Sequence, residues 1–195
     1  MCLTKPMKGK HQLRGDHLGD LRKELMKFGD GSSQYMEHEA KNVTYISRLQ
    51  CVQAAIGSQI EQMSKAAAKR KVGVVSFSNQ VCVIGDGSQV PKIFAGDRLN
   101  DKDYLMAESE KITHSHMVKP IGETAKELLE EVSKLEENGP TALGPALLTS
   151  VTMAAKGKPG SKVIVCTDGL ANIGLGQLDD LVTDEDYKHA EEFYE

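Results

Sequence analysis

The sequence has no long uncharged apolar run, no apolar segment near its start, no patterned cysteines and no large charge excess. Each absence excludes a class. No window approaches the roughly 20 apolar residues that a membrane-spanning helix needs. The opening MCLTKPMKGKHQLRGD contains no apolar core of a secretory signal. Cys2, Cys51, Cys82 and Cys166 lie far apart without pairing order, which excludes a disulfide framework. Three of them sit in apolar surroundings, where free cysteine behaves as a small hydrophobe. The setting is therefore read as reducing and cytoplasmic. The formal net charge of -4 has the wrong sign for general nucleic-acid binding. No G-x-S-x-G nucleophile motif and no Walker A loop occur, so the chain is read as non-enzymatic.

What is present suits one globular domain. The 195 residues are enough to bury a core, and 39% hydrophobic against 27% charged residues is ordinary for such a domain. Residues 1–43 read as a charged, partly ordered insert rich in Gly and His. Its helical spacing is confined to Leu18, Leu21, Leu25 and Phe28. Arg14-Gly15-Asp16 and the sequon at Asn42-Val43-Thr44 are short enough to be chance matches.

From residue 44 to 195 the pattern tightens. Leu49, Val52, Ile56, Ile60 and Met63 share one face, which predicts a helix over 44–69 ending at the basic cluster Lys69-Arg70-Lys71. Val72, Val74, Val75 and Phe77 predict a strand; Val81, Val83 and Ile84 predict a second, joined to it as a hairpin. Asp86-Gly87 closes the second strand as a turn, with no lysine or helix after Gly85-Asp86-Gly87-Ser88 to make it a phosphate loop. Residues 88–121 read as a long connection with little regular structure, and His114 and His116 as exposed loop histidines lacking a zinc set.

A helix is predicted from about Glu123, with Thr124 and Glu127 at capping-box spacing, a buried face of Ala125, Leu128, Leu129, Val132 and Leu135, and an end at Asn138-Gly139. Glu127, Glu130 and Glu131 form its solvated face. Another helix follows, with Pro145 in its first turn and Leu143, Leu147, Val151 and Ala154 inward. Gly157 and Pro159 stop it. KVIVC, Lys162–Cys166, is a continuous apolar run of the kind that marks a strand covered on both faces. Thr183 is a plausible N-cap for a last helix. Helices alternating with buried strands predict a three-layer, Rossmann-like α/β fold with a mostly parallel sheet and an antiparallel edge hairpin. In such sheets ligands sit beyond the carboxyl ends of the strands, where Asp168 lies.

The segments RLQCVQAAIGSQI, KVGVVSFSNQVCVIGDG, NGPTALGPALLTSVTMAA and SKVIVCTDGLANIG together resemble a von Willebrand factor type A domain of the intracellular kind. They are similar to the trunk domains of COPII coat proteins and to the A-domains that accompany circularly permuted Ras-like GTPases. The resemblance implies a protein-interaction domain with a metal-ion-dependent adhesion site, in which Thr141 and Asp168 would be ligands of a magnesium ion. A hydroxyl before a helix and a carboxylate after a strand are hard oxygen donors suited to that ion. The Asp-x-Ser-x-Ser loop of the family is absent, so magnesium is expected to bind weakly or not at all. By the same resemblance the chain starts just after the family's first strand and stops inside a helix. The implied partner is a protein, with no nucleic acid and no membrane span. The alternative is a metal-independent structural or coat-assembly domain of a larger vesicle-transport or GTPase-linked protein.

Overall fold

A computed structural model describes residues 48–136, 139–167, 169–179 and 181–195. The N-terminal insert, the two chance motifs within it, the Asn138 helix stop and Asp168 lie outside the described residues. The chain divides into two compact units, Met1–Ile56 and Gly57–Glu195, with the division inside the first helix. In the first unit the described residues are the opening turns of that helix, α1 (Arg48–Ala66), with Cys51 exposed.

The second unit begins with the rest of α1, where Ile60 is buried. Three strands follow: β1 (Val74–Phe77), β2 (Gln80–Gly85) and β3 (Lys92–Ala95). They form one antiparallel sheet in sequence order. The expected hairpin is present, pairing Ser76 with Cys82 and Phe77 with Val81. Val81 and Val83 alternate with Cys82 and point into the core, as a half-buried strand requires.

A short 3-10 turn (Gly96–Asn100) leads into α2 (Lys102–His116). Thus the region read as irregular holds a strand and a helix of 15 residues. Asp101 caps α2, its carboxylate accepting from Tyr104 N at 2.9 Å. Leu105, Ser109 and Ile112 form its buried face, and His114 and His116 fall in its last turn rather than in a loop. His116 bridges: its Nε2 meets the Val90 carbonyl at 3.0 Å and its Nδ1 meets Ser115 Oγ at 2.7 Å.

Helix α3 (Ile121–Ser133) starts before the expected residue and uses no side-chain cap. Its first free donors go elsewhere: Ile121 N–H bonds the Arg70 carbonyl at 2.7 Å and Gly122 N–H the Ala68 carbonyl at 2.9 Å. Thr124, expected as a cap, is a buried helical residue whose hydroxyl has no partner. Ile121, Leu128 and Val132 supply the apolar face, while Glu127 and Glu130 face solvent.

Helix α4 (Leu143–Ala155) is rotated from its expected setting. Ala146, Thr149 and Met153 are buried, whereas Val151 is 53% exposed. It packs against α2 and beside β1. The core gathers Val81, Val83, Phe94, Leu99, Leu105 and Ala146 among others, with Phe94 meeting Tyr104 edge-on at 6.1 Å. Helix α5 (Asp184–Tyr194) opens with the expected cap at Thr183, reciprocated by Asp186.

The expected mostly parallel sheet is corrected. The described residues show five helices and a three-stranded antiparallel sheet, which remains α/β. The main physical reason is KVIVC. Residues 162–166 join no ladder among the described residues. Ile164 is 85% exposed, the reverse of a strand covered on both faces. With no flanking strand to share its backbone groups, an apolar run cannot be buried without stranding them.

Candidate functional site

Thr141 and the stretch after Asp168 are brought together. Thr141 precedes α4, in a loop held by two hydrogen bonds from the neighbouring segment. Its N–H donates to Asn172 Oδ1 at 2.6 Å, and its carbonyl accepts from Asn172 N–H at 3.1 Å. Ala142 N–H donates to the Ser78 carbonyl at 2.8 Å, which ties the same loop to the β1–β2 turn. Gly169 lies so close that a Cβ there would stand 2.9 Å from Thr141 Oγ1. Only a glycine permits that approach without displacing the threonine side chain. Thr141 does not cap α4, whose N-terminus has no side-chain cap.

The glycine-rich stretch 169–176 is pinned rather than loose. Leu175 N–H bonds the Leu99 carbonyl at 3.0 Å, and Leu178 N–H bonds the Ala171 carbonyl at 2.7 Å. Ala171 is fully buried. Gly174 and Gly176 adopt φ of 83° and 65°, which glycine takes at little cost. Tyr194 of α5 donates its hydroxyl to the Gly176 carbonyl at 2.7 Å, and burial pushes its phenol upward in pKa. The face therefore joins the hairpin turn, the loop before α4, the 169–178 loop and α5. Asn172 is the residue that sequence reading missed. Its signal is weak: an asparagine in a glycine-rich loop, whose partner is 31 positions away.

A second polar centre is Asp86, which is fully buried. Its Oδ1 accepts from Ser88 N at 3.0 Å and Ser88 Oγ at 2.6 Å. Its Oδ2 accepts from Val118 N at 2.9 Å and Lys119 N at 2.8 Å. Burial pushes the carboxyl up, but the bonds from Ser88, Lys119 and Val118 outweigh it and hold the acid below its ordinary range. All four acceptor positions are taken, so Asp86 is a structural tie and the 85–88 stretch is a turn, as read.

Of the two ligands that the resemblance implies for magnesium, only Thr141 lies among the described residues. Thr141 offers one neutral hydroxyl, and among the described residues no three His, Cys, Asp or Glu side chains come together. Magnesium sites are built on one or two carboxylates with near-octahedral geometry. Nor is there a helix among the described residues long and apolar enough to cross a membrane.

No family model matches the chain. A curated relative, circularly permutated Ras protein 1 of Dictyostelium discoideum, is 37% identical over 155 residues, covering 78% of this chain and 18% of the relative. The chain thus spans about a fifth of the length of that protein. This finding corrects the resemblance to a von Willebrand A or COPII trunk domain, which nothing else supports. It also overturns the adhesion-site function and the non-enzymatic reading, because the relative is named a Ras protein. Of the earlier resemblance, only the Ras-like association is hinted at by that name.

Proposed function

We propose that the chain serves a GTPase-related function of the Ras type. The identity of 37% over 155 residues to a Ras protein carries this reading. Ras-type chemistry holds the β- and γ-phosphates in a glycine-rich loop with a lysine, and neutralises them with magnesium. These 195 residues carry no G-x-x-x-x-G-K-[ST] loop. That loop would come from a segment joined to this chain or from a partner. The chain's own share is to present its loop face to the nucleotide-binding unit. Magnesium enters with the nucleotide rather than as an ion resident here. Thr141 and Asp168 are the hydroxyl and carboxylate we propose at that contact. The setting is cytoplasmic, with protein as the partner.

The experiment isolates the native protein that contains this chain and follows GTP hydrolysis and release of a fluorescent GDP analogue. Turnover on the order of 10⁻⁴ to 10⁻² per second, lost on chelating magnesium, is the expected result. Absence of bound guanine nucleotide together with absence of turnover overturns the reading.

A further inference from the structure

The segment Lys162–Cys166 is an apolar run left open to solvent, with no regular secondary structure. Ile164 is 85% exposed, Val165 43% and Val163 38%. Its backbone makes no hydrogen bond to any other described residue. Valine, isoleucine and cysteine in sequence suit a pleated, covered strand and not a solvated one. The neighbouring helix carries the same signature. Leu143–Ala155 contains no charged residue at all, yet Val151 is 53% exposed on it. A helix without a polar face is one that expects cover on more than one side. Val151, Ala154, Ala155, Pro159 and Val163 line an open hollow between α4 and the start of the 162–166 run.

Charge indicates what fits there. Lys156, Lys158 and Lys162 lead into the run, with no acid among them. Lys156 is paired with Glu110 at 2.9 Å, while Lys158 and Lys162 have no ion pair among the described residues.

We propose that Lys162–Cys166 is a strand-addition site for an extended apolar segment of a partner that carries carboxylates at the end lying beside Lys158 and Lys162. The incoming strand supplies the missing ladder. Its side chains cover Ile164 and the hollow beside Val151. Backbone pairing gives affinity and the lysines give direction. The inference stands independently of the GTPase reading.

The test uses the full chain and a labelled peptide of alternating valine and threonine with glutamates at one end. Fluorescence anisotropy should show saturable binding. It should weaken at least about tenfold, equivalent to about 1.4 kcal/mol, when the peptide backbone is N-methylated or when Ile164→Pro is introduced. Lys158→Glu with Lys162→Glu should weaken it similarly, and a lysine-ended peptide should recover binding to that double variant. Amides of 162–166 should exchange fast in the chain alone and slow with peptide. Circular dichroism checks that Ile164→Pro stays folded, which is reasonable for an exposed segment. Equal binding of the N-methylated peptide overturns the proposal. Slow exchange in the chain alone overturns it in favour of cover by the chain itself, and exchange that slows with chain concentration overturns it in favour of a second copy.

Discussion

Asn172 grips Thr141 from both directions, accepting its N–H at 2.6 Å through Oδ1 and donating its own N–H to the Thr141 carbonyl at 3.1 Å. Two loops far apart in sequence are thereby made one surface. Among the described residues, no hydrogen bond occupies the threonine hydroxyl.

Replacing Asn172→Ala should remove the short bond and leave the Thr141 N–H to water. The expected cost is about 1 kcal/mol, read as a fall of a few degrees in Tm. Asn172→Asp keeps the acceptor and should lose less. An alanine variant with an unchanged Tm contradicts the role assigned to this side chain.

Asp86 should make stability depend on pH at the acid end. Its folded pKa lies below the ordinary carboxyl value. Its contribution is therefore full above the unfolded value of about 3.9 and is lost as pH falls through the lower folded value. Asp86→Asn should be less stable than the parent at pH 7, by roughly 2 to 3 kcal/mol, and the gap should narrow in acid. Urea unfolding across that pH range measures it. Parallel pH profiles for the two proteins would remove Asp86 as the cause.

Two glycines with positive φ should respond unequally to alanine. At Gly87 (φ 83°) a Cβ would stand 2.9 Å from Leu128 N, whereas at Gly96 (φ 61°) it would meet nothing within 4 Å. Gly96→Ala should cost about 1 kcal/mol through backbone strain alone, and Gly87→Ala clearly more. Equal losses would show that the α3 backbone yields freely at Leu128.

Thr183→Ala should undo the reciprocal cap of α5, where Thr183 N–H donates to Asp186 Oδ2 at 2.8 Å and Asp186 N–H donates to Thr183 Oγ1 at 3.2 Å. The expected loss is about 1 kcal/mol with reduced helix content by circular dichroism. Retained helicity would mean that packing through Ala190 suffices.

Magnesium titrated into the chain without nucleotide should give no stoichiometric heat in calorimetry. One hydroxyl at Thr141, with no cluster of three ligating side chains among the described residues, is too poor a donor set. A tight single site would show that Asp168 completes a cage.

Local chemistry carried much of the fold. The hairpin was legible because Val81 and Val83 alternate with Cys82, and the last helix because Thr183 and Asp186 sit at capping distance in sequence. Helix α2 was not, because its inward face includes Ser109 between Leu105 and Ile112 and so blurs the apolar period. Asp101 was the available clue, a cap followed by strong helix formers. Thr124 and Glu127 misled because the start of α3 is satisfied by carbonyls of Ala68 and Arg70, partners that no local window contains. KVIVC misled for a related reason: apolar composition states a preference for burial, but burial depends on neighbours. At the candidate site, the bond between Thr141 and Asn172 was not legible, since it joins loops 31 positions apart.

The four donors around Asp86 have a consequence for how the protein comes apart. Two come from the turn beside the carboxylate, and two from residues 32 and 33 positions onward, beyond α2. If the end of α2 frays, Val118 and Lys119 withdraw and a sequestered anion keeps only half its donors. That state is penalised, so fraying there must either reverse or draw water into the hairpin's end. The hairpin and α2 thus form one cooperative unit, and their amides should exchange together rather than in sequence.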